Sequence, residues 1–227
     1  MEIPNEAPVM TLPGVTLFPQ TPLPLHIFEP RYRRMLAAVL RTHRMFVVAM
    51  QKPGCASETP AAVAGLGFVR VCVTHADGTS HLVLQGHARV ELTEMVRQQP
   101  FPVSRIRRLR APACDSVTID ALMAKVRDLV TERIQLGFSS SSTGARKLAA
   151  KIKQAQALLT VPEILGCLEK LNNPDQVADL VSSALLTRAA QKQIILETVE
   201  VEPRLKHLIH FLMGEITQRQ KRANREE

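Results

Sequence analysis

Three groups of residues in this sequence have types and spacings from which chemistry could be built. Ser139 to Ser142, followed by Lys147, offer hydroxyl nucleophiles and an amine base. Such a pair also needs a rigid position, a desolvated base and an oxyanion hole, and an unbroken serine run has instead the composition of a flexible polar linker. His207 and His210 stand three apart on a helical pattern, near the spacing of a two-histidine metal face. With no third acidic or cysteine ligand nearby in sequence, they read as partly exposed helix residues. Cys55, Cys72, Cys114 and Cys167 are far apart, and none has the close partner of a zinc knuckle or a redox pair, so reduced thiols are expected. A phosphate-cradling loop would end in Gly-Lys-Ser or Gly-Lys-Thr, and none of the 10 glycines stands in such a motif. No catalytic, cofactor or metal site is therefore expected.

Other polar residues read as structural. His26, inside Pro-Leu-His-Ile-Phe, is expected to be buried and hydrogen-bonded to backbone. Glu29 and Arg31 are placed to pair or cap at a strand-to-helix junction, and Arg89, opening a strand, either to anchor the sheet to the first helix through a carboxylate or to stand in solvent. Basic residues gather at Arg105, Arg107, Arg108 and Arg110, and again at Arg219, Lys221, Arg222 and Arg225, in a chain of formal net charge +8. Phosphate contact draws on such groups. Yet aromatic residues make up only 4% of the chain and tryptophan is absent, so platforms for stacking single-stranded bases are scarce.

The elements that must position these residues change character along the chain. The first half reads as strands: Met10 to Phe18, Leu23 to Phe28, Met45 to Met50, Val63 to His75, Ser80 to Gln85, Ala88 to Val96 and Phe101 to Leu109. Pro22 and Pro24 restrict the second of these to a sheet edge or a bulge. One helix interrupts the series, from Pro30 to Arg41, with Tyr32, Met35, Leu36, Val39 and Leu40 on one stripe. Pro30 suits its first turn, and Glu29 suits the positive end of its dipole. Asp77-Gly78 marks a tight hairpin, and Gln51 to Ala62 an exposed loop.

From Ala111 to Ser116 the period shifts to helical spacing. Leu122, Val126, Leu129 and Val130 form one stripe; Pro162 opens a short helix ending near Asn172. Asn173 caps the next helix, whose face is Val177, Leu180, Val181, Ala184 and Leu185. Thr187 is placed to cap another, running to Glu197. A final helix carries Leu205, Leu208, Ile209, Leu212 and Ile216 on one side. The reading is α+β: residues 1–112 form a strongly bent sheet or pseudobarrel with one crossover helix, and residues 113–227 a helical bundle. A hydrophobic content of 45% over 227 residues supports a real core. No run reaches the roughly 18 to 20 apolar residues of a membrane span, and the start Met-Glu-Ile-Pro-Asn-Glu lacks a secretory pattern. A cytoplasmic protein, away from membranes, is expected.

Several motifs in order resemble one family. Leu17-Phe-Pro19 with Leu23 to Arg33 is similar to the opening of the amino-terminal domain of Lon proteases. Gly65-Leu66-Gly67 resembles its Gly-x-Gly strand, Asp77-Gly78 its hairpin and Gly86-His87-Ala88-Arg89 its Gly-x-x-Arg strand start. Asn173 to Leu180, Lys192-Gln193 through Glu197, and Glu202 to Leu205 resemble successive helices of its second half. The resemblance implies a PUA-like β domain followed by a helical bundle. It also implies a non-enzymatic, polypeptide-binding role without the ATPase and Ser-Lys protease modules of full-length Lon, such as an adaptor or scaffold beside a separate protease. Leu17, Phe18, Leu23 and Leu25, with the Gln51 to Ala62 loop, are the expected polypeptide contacts. Because RNA-binding modules share the PUA-like fold, an RNA-associated module using Arg105, Arg107, Arg108 and Arg110 is the alternative.

Overall fold

The structure, a computed structural model, describes residues 2–55, 58–112, 117–136, 166, 168 and 170–226, with side chains through residue 221. Ser139 to Ser142, Lys147, Pro162, Cys114 and Cys167 lie outside the described residues, as do the side chains of Arg222 and Arg225. The chain divides into two compact units, Met1–Arg110 and Ala111–Glu227.

The first unit holds β1 (Glu6–Leu12), β2 (Pro22–Ile27), α1 (Pro30–Leu40), β3 (Met45–Met50), β4 (Val63–Thr74), β5 (Ser80–Arg97) and β6 (Val103–Leu109). The strands run in the order β2-β5-β4-β3-β1-β6, and β6 pairs back onto β5, which closes five of them into a ring. β1 and β3 are parallel, in register Val9 to Val47, and the other pairs are antiparallel. The ring encloses Ala7, Val9, Met45, Val47, Ala49, Ala64, Leu66, Val90 and Ile106. Three of these are alanines, which suits a barrel with little room inside. The opposite faces of β1 and β3 bury Met10, Phe46 and Val48 against Tyr32, Met35, Leu36 and Val39 of α1. Strands buried on both faces read as continuous apolar runs, as Met45 to Met50 does.

Two expectations are corrected here. Ser80 to Gln85 and Ala88 to Val96 belong to one 18-residue strand, whose first part pairs with β2 and whose second part pairs with β6. Register shifts at Leu92/Glu94 and Met95/Arg97 let it bend between partners. The strand expected over Met10 to Phe18 stops at Leu12, because Gly14 takes φ +68 and turns the chain out of the ladder. Leu17 and Phe18 then cross the sheet, where their carbonyl oxygens lie so close to Gly65 and Gly86 that a Cβ at either glycine would collide. The Gln20 N–H donates to the Gly86 carbonyl at 2.8 Å, and the Gly86 N–H donates to the Thr21 carbonyl at 2.9 Å. A buried loop residue and a strand residue are both apolar, so hydrophobicity alone could not separate them.

The second unit holds α2 (Val117–Gln135), α3 (Pro174–Leu185), α4 (Ala189–Glu197) and α5 (Val201–Glu226). Ile119, Met123, Val126, Leu129 and Val130 of α2 are buried, as are Leu205, Leu208, Leu212 and Ile216 of α5. Asn173 caps α3, its Oδ1 accepting from the Gln176 N–H at 3.2 Å, and Pro174 occupies the first turn. Thr187 does not cap α4. Arg188 takes that position without a side-chain capping bond, and the Thr187 hydroxyl donates to Glu215 Oε1 at 2.9 Å.

Two buried arginines hold this unit together. Arg133 donates to Glu215 Oε2 at 2.9 Å and to the Leu185 carbonyl, orphaned at the end of α3, at 2.6 Å. Arg204 reaches Asp175 Oδ1 at 2.6 Å, Asp179 at 3.8 Å and the Thr198 carbonyl at 2.7 Å, and also bonds the Val199 carbonyl.

Candidate functional site

The expected apolar contacts turn inward. Leu17, Phe18 and Leu23 are buried, and Leu25 is half-buried against the core that includes Leu17 and Leu23. The core packed against α1 takes Leu17, Leu23 and part of Leu25, and Phe18 is buried, so these side chains offer little surface to a partner.

Among the described residues of the first unit, the most exposed large apolar side chains lie on the outer face of β2, β4 and the first part of β5, with Met95 and Val96, 43% exposed, further along β5. Antiparallel register puts Pro24, Val83 and Val71 in one row, and His26, His81 and Val73 in the next. Phe28 continues the alternation two residues past His26. The neighbouring positions Leu25, Leu82 and Cys72 point to the core, so this face must point to solvent. Phe28 is 58% exposed, Val71 57% and Val73 54%. A cluster of such groups is a surface that gains by covering itself.

Histidines occupy the centre of this face. His26 is exposed, contrary to its expected burial, because the strand's two-residue period puts it with Pro24 rather than with Leu25. Its ring stacks on His81 with centroids 4.4 Å apart and planes within 15°, and lies 5.6 Å from Phe28. A ring nitrogen of His75 hydrogen-bonds one of His81 at 2.7 Å, the donor depending on tautomer. The flanking rings take water from His81 and, with repulsion from His26 and His75, hold its imidazole below the ordinary histidine value. Asp77 Oδ1 accepts from both the N–H and the hydroxyl of Thr79, which holds that carboxyl below its ordinary value. Gly78, at φ +79, completes the hairpin turn and leaves space that the Arg33 guanidinium fills.

The free edge of β2 is blunted. Because the Gly86 N–H bonds the Thr21 carbonyl, Leu23, Leu25 and Ile27 direct their backbone groups to β5, while Pro22, Pro24 and His26 direct theirs outward. Two of those three outward positions have no N–H, so strand addition along this edge is disfavoured. The Gln51 to Ala62 loop is tied down at its base, where Gln51 bridges Pro60 and Lys52 donates to the Thr59 carbonyl at 2.8 Å. Arg31 also clamps Glu58 with bonds of 2.5 and 2.8 Å, and reaches Glu29 at 2.8 Å. The Arg31 bond holds the Glu58 carboxyl below its ordinary value.

The arginine strand is partly neutralised. Arg105 pairs with Glu94 at 2.8 Å and Glu6 at 3.7 Å, and Arg107 pairs with Glu91. Arg108 and Arg110 are exposed and have no carboxylate partner among the described residues. Arg89 is buried at the strand position. His207 and His210 are exposed beside Phe211, with His207 Nδ1 3.3 Å from the Thr198 hydroxyl. Among the described residues no group of three histidine, cysteine or acidic side chains is placed to hold a metal, and no helix is long and apolar enough to cross a membrane.

The model of the ATP-dependent protease La (LON) substrate-binding domain matches residues 6–214. The chain belongs to that family. It is 28% identical to the Lon protease of Phenylobacterium zucineum and 27% identical to that of Roseiflexus castenholzii, over 92% and 94% of its own length. In both cases it spans about a quarter of the relative's length (25%). Among solved structures, the N terminal domain of the Mycobacterium avium complex Lon protease superposes at TM-score 0.65 with 19% identity, covering 92% of this chain and 98% of that one. A Lon N-terminal domain protein from Xanthomonas campestris superposes at TM-score 0.60 with 17% identity, covering 91% and 98%. These structures share the α+β fold.

The Lon-domain motifs acquire physical meaning in this geometry. Gly65 and Gly86 admit the crossing loop, and Gly67 leaves room for the Leu84 side chain. Glu202 to Leu205 contains Arg204, whose role as a buried hub sequence reading did not find; the only signal was a lone charge at a helical core position beside Leu205 and Leu208. Val71, Val73, His81 and Phe28 were likewise missed as a surface. Alternation marked two faces of the strands, but not which of them α1 covers.

Proposed function

We propose that this chain is a non-catalytic recognition module that binds apolar segments of polypeptide on the outer face of β2, β4 and β5. The observation that carries the reading is the exposed group of Phe28, Val71 and Val73 around His26 and His81, in a chain that belongs to a substrate-binding domain family. Apolar side chains of an unfolded segment lose water on that face, and flanking polar groups leave the segment's sequence largely unconstrained. In this proposal the bound polypeptide is handed to a separate protease, so the chain acts as an adaptor. Its setting is the cytoplasm, where an exposed free thiol such as Cys55 stays reduced.

The test is fluorescence anisotropy of a labelled, permanently unfolded polypeptide against the wild-type chain and a Phe28→Ser/Val73→Thr variant. Wild type is expected to bind and to retain binding at high salt, while the variant loses at least about tenfold in affinity, equivalent to about 1.4 kcal/mol. Both side chains are exposed, so stability should change by no more than about 0.5 kcal/mol. Charge reversal at Arg105, Arg107 and Arg108 should leave this binding in place. Loss of binding in that variant, with steep weakening by salt, would favour the nucleic-acid reading instead.

A further inference from the structure

The histidines at the centre of the apolar face have a consequence for when that face can be occupied. His81 stands between two other imidazoles, stacked on His26 across β2 and hydrogen-bonded to His75 beyond the end of β4. The 2.7 Å bond to His75 requires one of its two nitrogens to keep a lone pair, so the pair holds one proton beyond neutrality but not two. Protonating both His26 and His81 would set like charges on parallel rings whose centroids are 4.4 Å apart. Of the other charged groups facing this cluster, the Asp77 carboxylate favours a proton on His81, but it is the weakest of the influences on that ring and does not outweigh the others. From the β4–β5 turn, Asp77 already accepts two bonds from Thr79, and from α1, Arg33 contributes a further positive charge over Gly78. From β4, Val73 contributes no charge.

A polypeptide segment lying across Phe28, Val71 and Val73 must also cover these rings, since His26 and His81 share their row with Val73 and His26 touches Phe28. Neutral imidazoles tolerate that loss of water, whereas imidazolium does not. We propose that the His26–His81 stack makes this face a proton-gated site, which holds an apolar polypeptide segment while the imidazoles are neutral and releases it when they protonate. The inference rests on the binding role proposed above and adds its regulation. By linkage the coupling is reciprocal: a bound segment makes the same imidazoles harder to protonate. The depressed affinity of His81 for protons agrees in direction, since its flanking rings already begin the desolvation that a bound segment completes.

The experiment uses the full chain and a labelled, unfolded, cysteine-capped apolar polypeptide without histidine, at constant ionic strength. Affinity is measured at pH 7.5 and pH 5.5, with circular dichroism confirming a folded protein at both. Wild-type affinity is expected to fall by about 5- to 25-fold on acidification, the range given by a one-unit shift from the ordinary histidine value at one or two imidazoles. Whatever its own affinity at pH 7.5, a His26→Gln/His81→Gln variant is expected to show the same affinity at pH 5.5, so that the ratio between the two pH values stays near one. Carbon-detected imidazole titration should show His81 protonating at lower pH when the probe is saturating. Equal wild-type affinity at both pH values, with binding still abolished by Phe28→Ser/Val73→Thr, would overturn the gate and leave the binding face standing. Undiminished pH dependence in the double histidine variant would also overturn it. If Phe28→Ser/Val73→Thr binds like wild type, the face is not the site and both readings fall.

Discussion

Arg204 shows what a single residue contributes to this molecule. Its side chain is 1% exposed, yet it carries a full charge and satisfies two loop carbonyls as well as Asp175. Asp179, 5% exposed, lies within reach of the same guanidinium. Removing one member of a buried ion pair leaves the rest uncompensated, which costs far more than the pair is worth against an apolar replacement. Arg204→Ala is therefore expected to destabilise the chain by about 3–5 kcal/mol, read as a lower urea midpoint, with Arg204→Lys recovering only part of it. Surface pairs such as Lys206–Glu202, with the lysine 58% exposed, should matter little when broken. Sequence placed Arg204 at the start of a helix, in the motif Glu202 to Leu205. It could not say which pair would lose its water.

Among the elements, the loop that crosses β4 and β5 explains why glycine stands where it does. Gly86 lies in the middle of a long strand, where glycine ordinarily weakens the ladder, but the Phe18 carbonyl leaves no room for a Cβ. Gly86→Ala should force the loop off the sheet and destabilise the chain by about 1–3 kcal/mol in urea unfolding. Gly214 is the internal control. It lies inside α5 with nothing within 4 Å of an added Cβ among the described residues, so Gly214→Ala should stabilise by about 1 kcal/mol. The two glycines look alike in sequence, and packing alone gives them opposite signs. Element identities were largely legible: α1, β3 and α3 were readable from their proline, capping and apolar patterns. The crossing loop was not, because a segment with no ladder of its own leaves no periodic signal.

For the molecule as a whole, histidine sets the direction of its pH dependence. Burial holds both His43 and His87 below the ordinary histidine value, and for His87 the Arg108 charge adds to it. His43 Nδ1 also accepts from the Met45 N–H at 3.0 Å, a bond that protonation at that nitrogen removes. A depressed folded-state value means that the unfolded chain binds more protons, so stability rises with pH. The contribution is fully present above the unfolded value of about 6.5 and is lost as pH falls through the folded values. Urea midpoints are expected to drop between pH 7.5 and pH 5.5, and His87→Gln should diminish that drop. A midpoint unchanged across this range would contradict the assignment. Charge, by contrast, decides less than the net +8 suggests, because Arg105 and Arg107 are matched by carboxylates on neighbouring strands.

The sequence by itself determined the α+β class, the edge position of the proline-bearing strand, the hairpin at Asp77-Gly78, the cap at Asn173 and the order of family motifs. The first four follow from local stereochemistry or from periodicity, which neighbouring residues carry between them, and the last is a resemblance. Only the tertiary structure decided which apolar residues meet solvent. Leu17 and Leu23 lie in the core that α1 covers and Phe18 is buried, whereas Phe28, Val71 and Val73 are exposed on the other face of the sheet. Alternation divides a strand into two equivalent faces, and the choice between them is made by whichever element packs against the sheet. The meeting of His26, His75 and His81 is decided in the same way, by a register that joins residues distant along the chain.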